Sequence, residues 1–288
     1  MLTTRTYKLM IGAIIVLTIL ATTIGLFTNA TFENLTTTSV NGDLINFYGK
    51  GIYHNDSVTI ASQAKAQDLL TLILGVPLLG LSMVYASKNS LRGKLFLLGT
   101  LGYFLYSYTS YVFLAQYNQL FIVYIALTSL TFFAFIMCFQ SFDVAQVKAA
   151  FSGTFPRRRV AISLLVFAFM MSFRALAMIL PSVFANIIPA ELEHYTSLVI
   201  QALDLTVLLP TTVIAGILLL KNHPLGYFLT TIVVVKMSTL GLAVLTMLAF
   251  MAAAGLPVIL SEVILFTVVS IFLLLLLYTT FKHIKKGK

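Results

Sequence analysis

Five ionisable side chains interrupt stretches of this chain that are otherwise apolar: Asp68, Arg174, Asp204, Lys236 and Glu262. A charge at the centre of a membrane-spanning helix costs roughly 2.5–3.5 kcal/mol on the insertion scale, so each needs a partner or a task. Counted at about 1.5 Å per residue from the Lys/Arg-rich end of its own apolar run, Lys236 lies about 16 Å up, near mid-depth. Arg174 stands at about 21 Å, Asp204 at about 24 Å, and Asp68 and Glu262 near the far surface at about 28 Å. Matched depth on consecutive helices makes Arg174 and Asp204 the expected ion pair. Lys236 is in reach of Asp204 or of the Tyr103 hydroxyl. Glu262 follows Pro257 at a helix start, where the dipole alone suits a carboxylate.

Helical spacing adds neighbours to these charges. At roughly 100° per residue, Asp68 shares a stripe with Thr71, Gly75 and Ser82, and Asp204 shares one with Ser197, Gln201 and Thr211. Tyr103, Tyr106, Ser107, Ser110 and Tyr111 cluster on one helix, and Thr239 and Ala243 flank Lys236. Lipid offers no hydrogen-bonding partner, so these stripes should face the interior. The expected ligand-binding set is therefore Asp68, Tyr103, Tyr106, Tyr111, Arg174, Gln201, Asp204 and Lys236. In it Arg174 and Lys236 attract a negative group, the two aspartates balance charge or relay protons, and the tyrosines form walls. The competing reading is a set of structural pairs with no ligand.

Other chemistry has no support. His54, His194, His223 and His283 all lie in connections or the tail, so a buried metal centre or haem is not expected. Cys138 is alone and cannot form an intramolecular disulfide. No HExxH, GxSxG, Walker or dinucleotide pattern occurs, and Asp68 with Asp204 lacks any motif of a carboxylate dyad. No catalytic residue, metal or cofactor is assigned.

The elements that must position these residues follow from hydropathy. The chain has 288 residues, 59% of them hydrophobic and 9% charged, against roughly 25% charged in a soluble domain. Runs long enough to cross about 30 Å of hydrocarbon lie near 9–27, 68–87, 94–115, 119–140, 160–181, 198–220, 225–250 and 257–281. The expected fold class is all-α, a polytopic membrane protein of eight transmembrane helices. The first run follows Arg5 and Lys8 like a signal peptide, but it is longer than a signal core of roughly 7–15 residues and is read as a retained helix.

Fourteen of the 18 Lys and Arg residues lie at one end of this arrangement, including Arg92, Lys148, Arg157 to Arg159 and Lys282 to Lys288, while only Lys50 and Lys65 lie in connections at the other. That asymmetry places both termini in the cytoplasm. It also explains the net charge of +9 without nucleic acid. The bilayer is the expected partner, with a small-molecule solute as ligand.

Two connections are more than turns. In the first, 28–67, Tyr48 to Tyr53 reads as a turn, and Asp56 or Ser57 caps a helix running unbroken into the second span. The second, 141–159, opens with a short amphipathic stretch from Phe142 to Phe151 and ends in Pro156-Arg157-Arg158-Arg159, an interfacial helix and topology anchor. A repeat is expected as well: Pro77, Lys88, Asn89 and Gly93 are matched 133 positions later by Pro210, Lys221, Asn222 and Gly226. The same register sets Asp68 against Gln201 and Tyr103 against Lys236. It implies two parallel four-helix repeats, 1–140 with the loop 28–67 and 160–288, joined by 141–159.

The stretch Gln67-Asp68-Leu69, Pro77, Ser90-Leu91-Arg92-Gly93, Tyr103 to Tyr111, Tyr117-Asn118 and Leu120-Phe121 resembles a group of uncharacterised bacterial multi-span membrane proteins. Leu203-Asp204-Leu205, Pro210, Pro224 to Tyr227 and Val235-Lys236 resemble their second half. The resemblance implies a bacterial cell membrane and treats Asp68, Asp204 and Lys236 as a set, with no activity to carry over. Three functions remain open: binding or transport of a small anionic or zwitterionic solute in an outward-facing polar cavity, intramembrane catalysis on a lipid-like substrate, and a non-catalytic assembly or regulatory role.

Overall fold

The computed structural model describes residues 5–33 and 35–285; Asn34 lies outside them, as do Lys286 and Lys288 of the basic residues counted above. Its helices are α1 (Arg5–Phe27), α2 (Val58–Ser87), α3 (Leu91–Leu114), α4 (Phe121–Phe139), the short α5 (Val144–Ala150), α6 (Arg157–Ala185), α7 (Val199–Leu220), α8 (Pro224–Ala253) and α9 (Leu260–Lys282). Between α1 and α2 the chain makes one antiparallel hairpin, β1 (Thr36–Thr38) on β2 (Leu44–Asn46). The protein is an all-α, multi-pass membrane protein.

Among the described residues seven helices, all but α3 and α5, are long and apolar enough to cross a membrane. Eight were expected from hydropathy. The remaining run, 94–115, does fold into α3, whose 24 residues span roughly 36 Å, but four tyrosines, Tyr103, Tyr106, Tyr108 and Tyr111, with Ser107, Thr109 and Ser110, dilute its apolar character. Its position accounts for that composition. It packs against α2, α4 and α8, so its polar residues meet other helices instead of lipid.

Helix α8 is the second interior element. Every residue from Thr230 to Thr239 is buried, because α2, α3, α5, α7 and α9 all pack against it. Helix α6 behaves differently. It packs on the basic-end half of α7, and Ala168 is its last buried residue, so its remaining turns leave the bundle.

Local chemistry sets the helix shapes. The Ser57 side chain accepts the Ile60 N–H at 3.1 Å and starts α2 where the sequence placed the cap. The two proline-bearing helices contain π turns, at Thr71–Gly75 in α2 and Asp204–Leu208 in α7, each ending just before Pro77 or Pro210. There the Val76 N–H reaches back to the Thr71 carbonyl and the Leu209 N–H to that of Asp204. The wide turn accommodates a proline that has no N–H to give.

The turns closing α2 and α7 match as well. Asn89 and Asn222 both sit at φ 58°, the left-handed conformation Asn tolerates best after Gly. The next N–H in each, of Ser90 or His223, donates back to Tyr85 at 3.3 Å or Leu218 at 2.9 Å. Gly93 and Gly226 then let the following helix approach backbone to backbone. A Cβ at Gly93 would stand 2.7 Å from the Tyr85 carbonyl carbon, and one at Gly226 would overlap the Leu219 nitrogen.

At the same end, basic residues serve helix C-termini. Arg92 donates to the Lys282 and Ile284 carbonyls, Lys148 to Asn222 at 2.8 Å, and Arg157 to Leu219 at 2.7 Å. Each places positive charge beside the carbonyl end of a helix.

Candidate functional site

Three polar groupings occupy the far half of the bundle. The first surrounds Asp68, which is 3% exposed. Its Oδ2 accepts from the Tyr53 hydroxyl at 2.6 Å and its Oδ1 from the Tyr111 hydroxyl at 2.8 Å. Tyr124 stands behind Tyr53, with the two hydroxyls 3.5 Å apart. Tyr53 reaches inward because Gly51, at φ 60°, folds the loop against Thr28. On the other side Gly25 of α1 supplies the room, since a Cβ there would overlap Asp68 Oδ2. The carboxylate is satisfied by two phenols and enclosed by α1, α2, α3 and the loop.

The second grouping joins α2 to α3. Gln67 Nε2 donates to Tyr103 at 2.7 Å, Ser107 at 3.1 Å and Thr71 at 3.2 Å, and the Thr71 and Tyr103 hydroxyls meet at 2.7 Å. The π turn begins at Thr71, so this contact sits where the helix widens.

The third joins α3, α7 and α8. Tyr106 donates to Asp204 Oδ1 at 2.8 Å. Lys236, 6% exposed, holds its ammonium 3.6 Å from the centroid of the Tyr106 ring and 5.8 Å from that of Tyr103. A cation over a phenol face is attracted by the ring quadrupole, more strongly where water is excluded. Among the described residues Lys236 makes no hydrogen bond or ion pair, and Asp204 is engaged instead by the Tyr106 hydroxyl. The ammonium borders a cavity of about 130 Å³ enclosed by α2, α3, α7 and α8, with Gln67, Tyr103, Ser107 and Tyr111 also in its wall.

The expected site residues are thus divided. Asp68 and Tyr111 belong to the enclosed carboxylate, Tyr103 to the α2–α3 contact, and Tyr106, Asp204 and Lys236 to the third grouping. Two stand apart. Gln201 directs its amide at Met178 Sδ, 3.6 Å away, and is not in the cavity wall. Arg174 is exposed on α6, over the Phe266 ring at 5.6 Å. The expected Arg174–Asp204 pair does not form, because α6 leaves the bundle after Ala168.

Tyr53, Tyr124 and Gly25 were not expected in a site. Their sequence signal is slight: a tyrosine in a loop and a glycine in a first span acquire meaning only once Asp68 is seen between them. Gln67 carried a better one, a long amide next to an intramembrane aspartate.

A fourth polar cluster ties the connections together at the far end. Asp56 Oδ1 accepts from the Gln116 N–H at 2.9 Å and the Tyr195 hydroxyl at 3.0 Å, while its buried Oδ2 has no partner. Burial is the main cause that lifts this carboxyl from 3.8 to about 7; the two hydrogen bonds oppose the rise and Glu193 adds to it. Beside it burial pushes the Tyr195 phenol up and the His194 imidazole down.

No protein-family model, curated protein or solved structure matches this chain.

Proposed function

We propose that the protein binds, and through a conformational cycle transports, a small anionic or zwitterionic solute in the cavity bordered by Lys236. The observation that carries this reading is the ammonium itself, held against a phenol face at the edge of a void instead of against a carboxylate. An intramembrane cation held against an aromatic ring retains its capacity to bind an anion. The two π turns lie beside the cavity, at Thr71 and Asp204, and wide turns of this kind are places where a helix can repack.

In this reading α3 crosses the membrane as an eighth span, and the halves 1–140 and 160–288 are parallel repeats about an axis along the membrane normal. Support comes from the π turns, the left-handed asparagines and the close-packing glycines, each recurring 133 positions on. The Lys/Arg-rich end, with both termini, faces the cytoplasm of a bacterial cell, and the cavity lies in the opposite half of the bilayer. An intramembrane enzyme would need a carboxylate presented to substrate, and neither Asp68 nor Asp204 is in the cavity wall.

The test is thermal stabilisation of purified protein in dodecylmaltoside by a panel of small organic anions. Stabilisation by at least one anion in the wild type, retained in Lys236→Arg and absent in Lys236→Met, is the expected result. Equal stabilisation of wild type and Lys236→Met would remove the ammonium from the site and overturn the proposal.

A further inference from the structure

The cavity walls are unlike each other in a way that follows the 133-residue offset. On the side of the first half stand Gln67, Ser107, Ser110 and Tyr111. The positions matched to them, 133 later, are Ile200, Leu240, Ala243 and Val244, and all four also face the cavity. At the level of the cation, Tyr103 stands where the second half has Lys236. One wall therefore carries hydroxyls and an amide, the other is aliphatic, and a single ammonium stands between two phenol rings.

Much of the polar wall's donor capacity is already committed. The Gln67 amide serves Tyr103, Ser107 and Thr71, and the hydroxyls of Tyr111 and Ser110 serve Asp68 and the Ser107 carbonyl. No carboxylate is in the wall, so a ligand's own ammonium would meet no carboxylate directly. A second negative group would be buried unpaired, and its lost hydration would go uncompensated. The volume of about 130 Å³ approaches that of a cavity of roughly 150 Å³ that accepts benzene, which limits the occupant to about six to eight non-hydrogen atoms.

We infer that the ligand is a small monocarboxylate with an aliphatic body, its carboxylate on Lys236 and its hydrocarbon against Leu240, Ala243 and Val244. This rests on the reading of the cavity as an anion site and narrows it from anion or zwitterion to a singly charged, apolar acid. The polar wall adds the Ser107 hydroxyl and the Gln63 amide, which is directed at Met251 Sδ 3.6 Å away, as further donors.

Calorimetric titration of the full chain in dodecylmaltoside tests this with four probes of similar size: isovalerate, its neutral amide isovaleramide, the zwitterion valine and the dianion succinate. Isovalerate should bind at least tenfold more tightly than each of the others and lose that binding in Lys236→Met. Ala243→Phe, which fills the aliphatic side, should abolish isovalerate binding while acetate still stabilises the protein, separating loss of space from loss of fold. Valine or succinate binding as well as isovalerate, with all three dependent on Lys236, would overturn the apolar-acid inference and leave the anion site standing. Binding of none of these acids, or binding indifferent to Lys236→Met, would overturn both.

Discussion

Asp56 offers a perturbation whose size can be worked from the structure. It lies one residue before the cap of α2 and is 1% exposed. Through Gln116 and Tyr195 it fastens the α3–α4 and α6–α7 connections to the start of α2. Its carboxyl is lifted from 3.8 to about 7. Between those values the folded chain keeps a proton that the unfolded chain releases, so stability falls as pH rises through the window. About three pH units at 1.36 kcal/mol each make roughly 4 kcal/mol in all, and roughly 2–3 kcal/mol of it is lost between pH 5 and pH 8. The amide introduced by Asp56→Asn keeps an oxygen for both donors and never ionises. Thermal unfolding in micelles across pH 5–8 should show the wild type losing stability as Asp56→Asn stays nearly flat in this contribution. The variant should be the more stable protein at pH 8. Parallel curves for the two proteins from pH 5 to pH 8 would refute the reasoning, because a shared slope would have to arise from other groups.

Two further outcomes follow from contacts inside the bundle. Tyr106→Phe keeps the ring under Lys236 but removes the hydroxyl from Asp204 Oδ1, so thermal stability should fall by about 1–3 kcal/mol while Lys236-dependent anion stabilisation survives; loss of that stabilisation in a folded variant would show that the hydroxyl itself contacts ligand. Gly25→Ala drives a methyl into Asp68 Oδ2, and overpacking of this kind costs typically about 1–3 kcal/mol. Gly12→Ala on the same helix meets nothing within 4 Å and should be neutral or slightly stabilising; equal effects in unfolding scans would mean that α1 does not press against Asp68.

Much of this architecture was legible in the residues. Long apolar runs can satisfy their backbone in hydrocarbon only as helices, so the helices and most of their bounds follow from hydropathy. Ser57 marked a cap, and Pro77, Asn89 and Gly93, matched by Pro210, Asn222 and Gly226, marked two similar helix junctions. The offset that sets Tyr103 against Lys236 could likewise be read from the chain, and both residues do border one cavity. Hydropathy was a poorer guide for α3, because a helix surrounded by others no longer needs a lipid-compatible surface. Its tyrosines and serines reduce the very signal by which a span is recognised.

What the sequence determined by itself is the set of long apolar helices and the place of each charge along its own helix, because these depend on local composition and on a fixed rise per residue. Which charges meet was decided by packing. Arg174 and Asp204 have matching depths, yet α6 diverges after Ala168 and Asp204 takes the Tyr106 hydroxyl instead. Asp68 is enclosed because a loop tyrosine enters from the far end and Gly25, on a helix that precedes the loop, leaves room for the carboxylate. Depth is a property of one helix, whereas a contact depends on the rotation and tilt of two, and those are set by all the side chains between them.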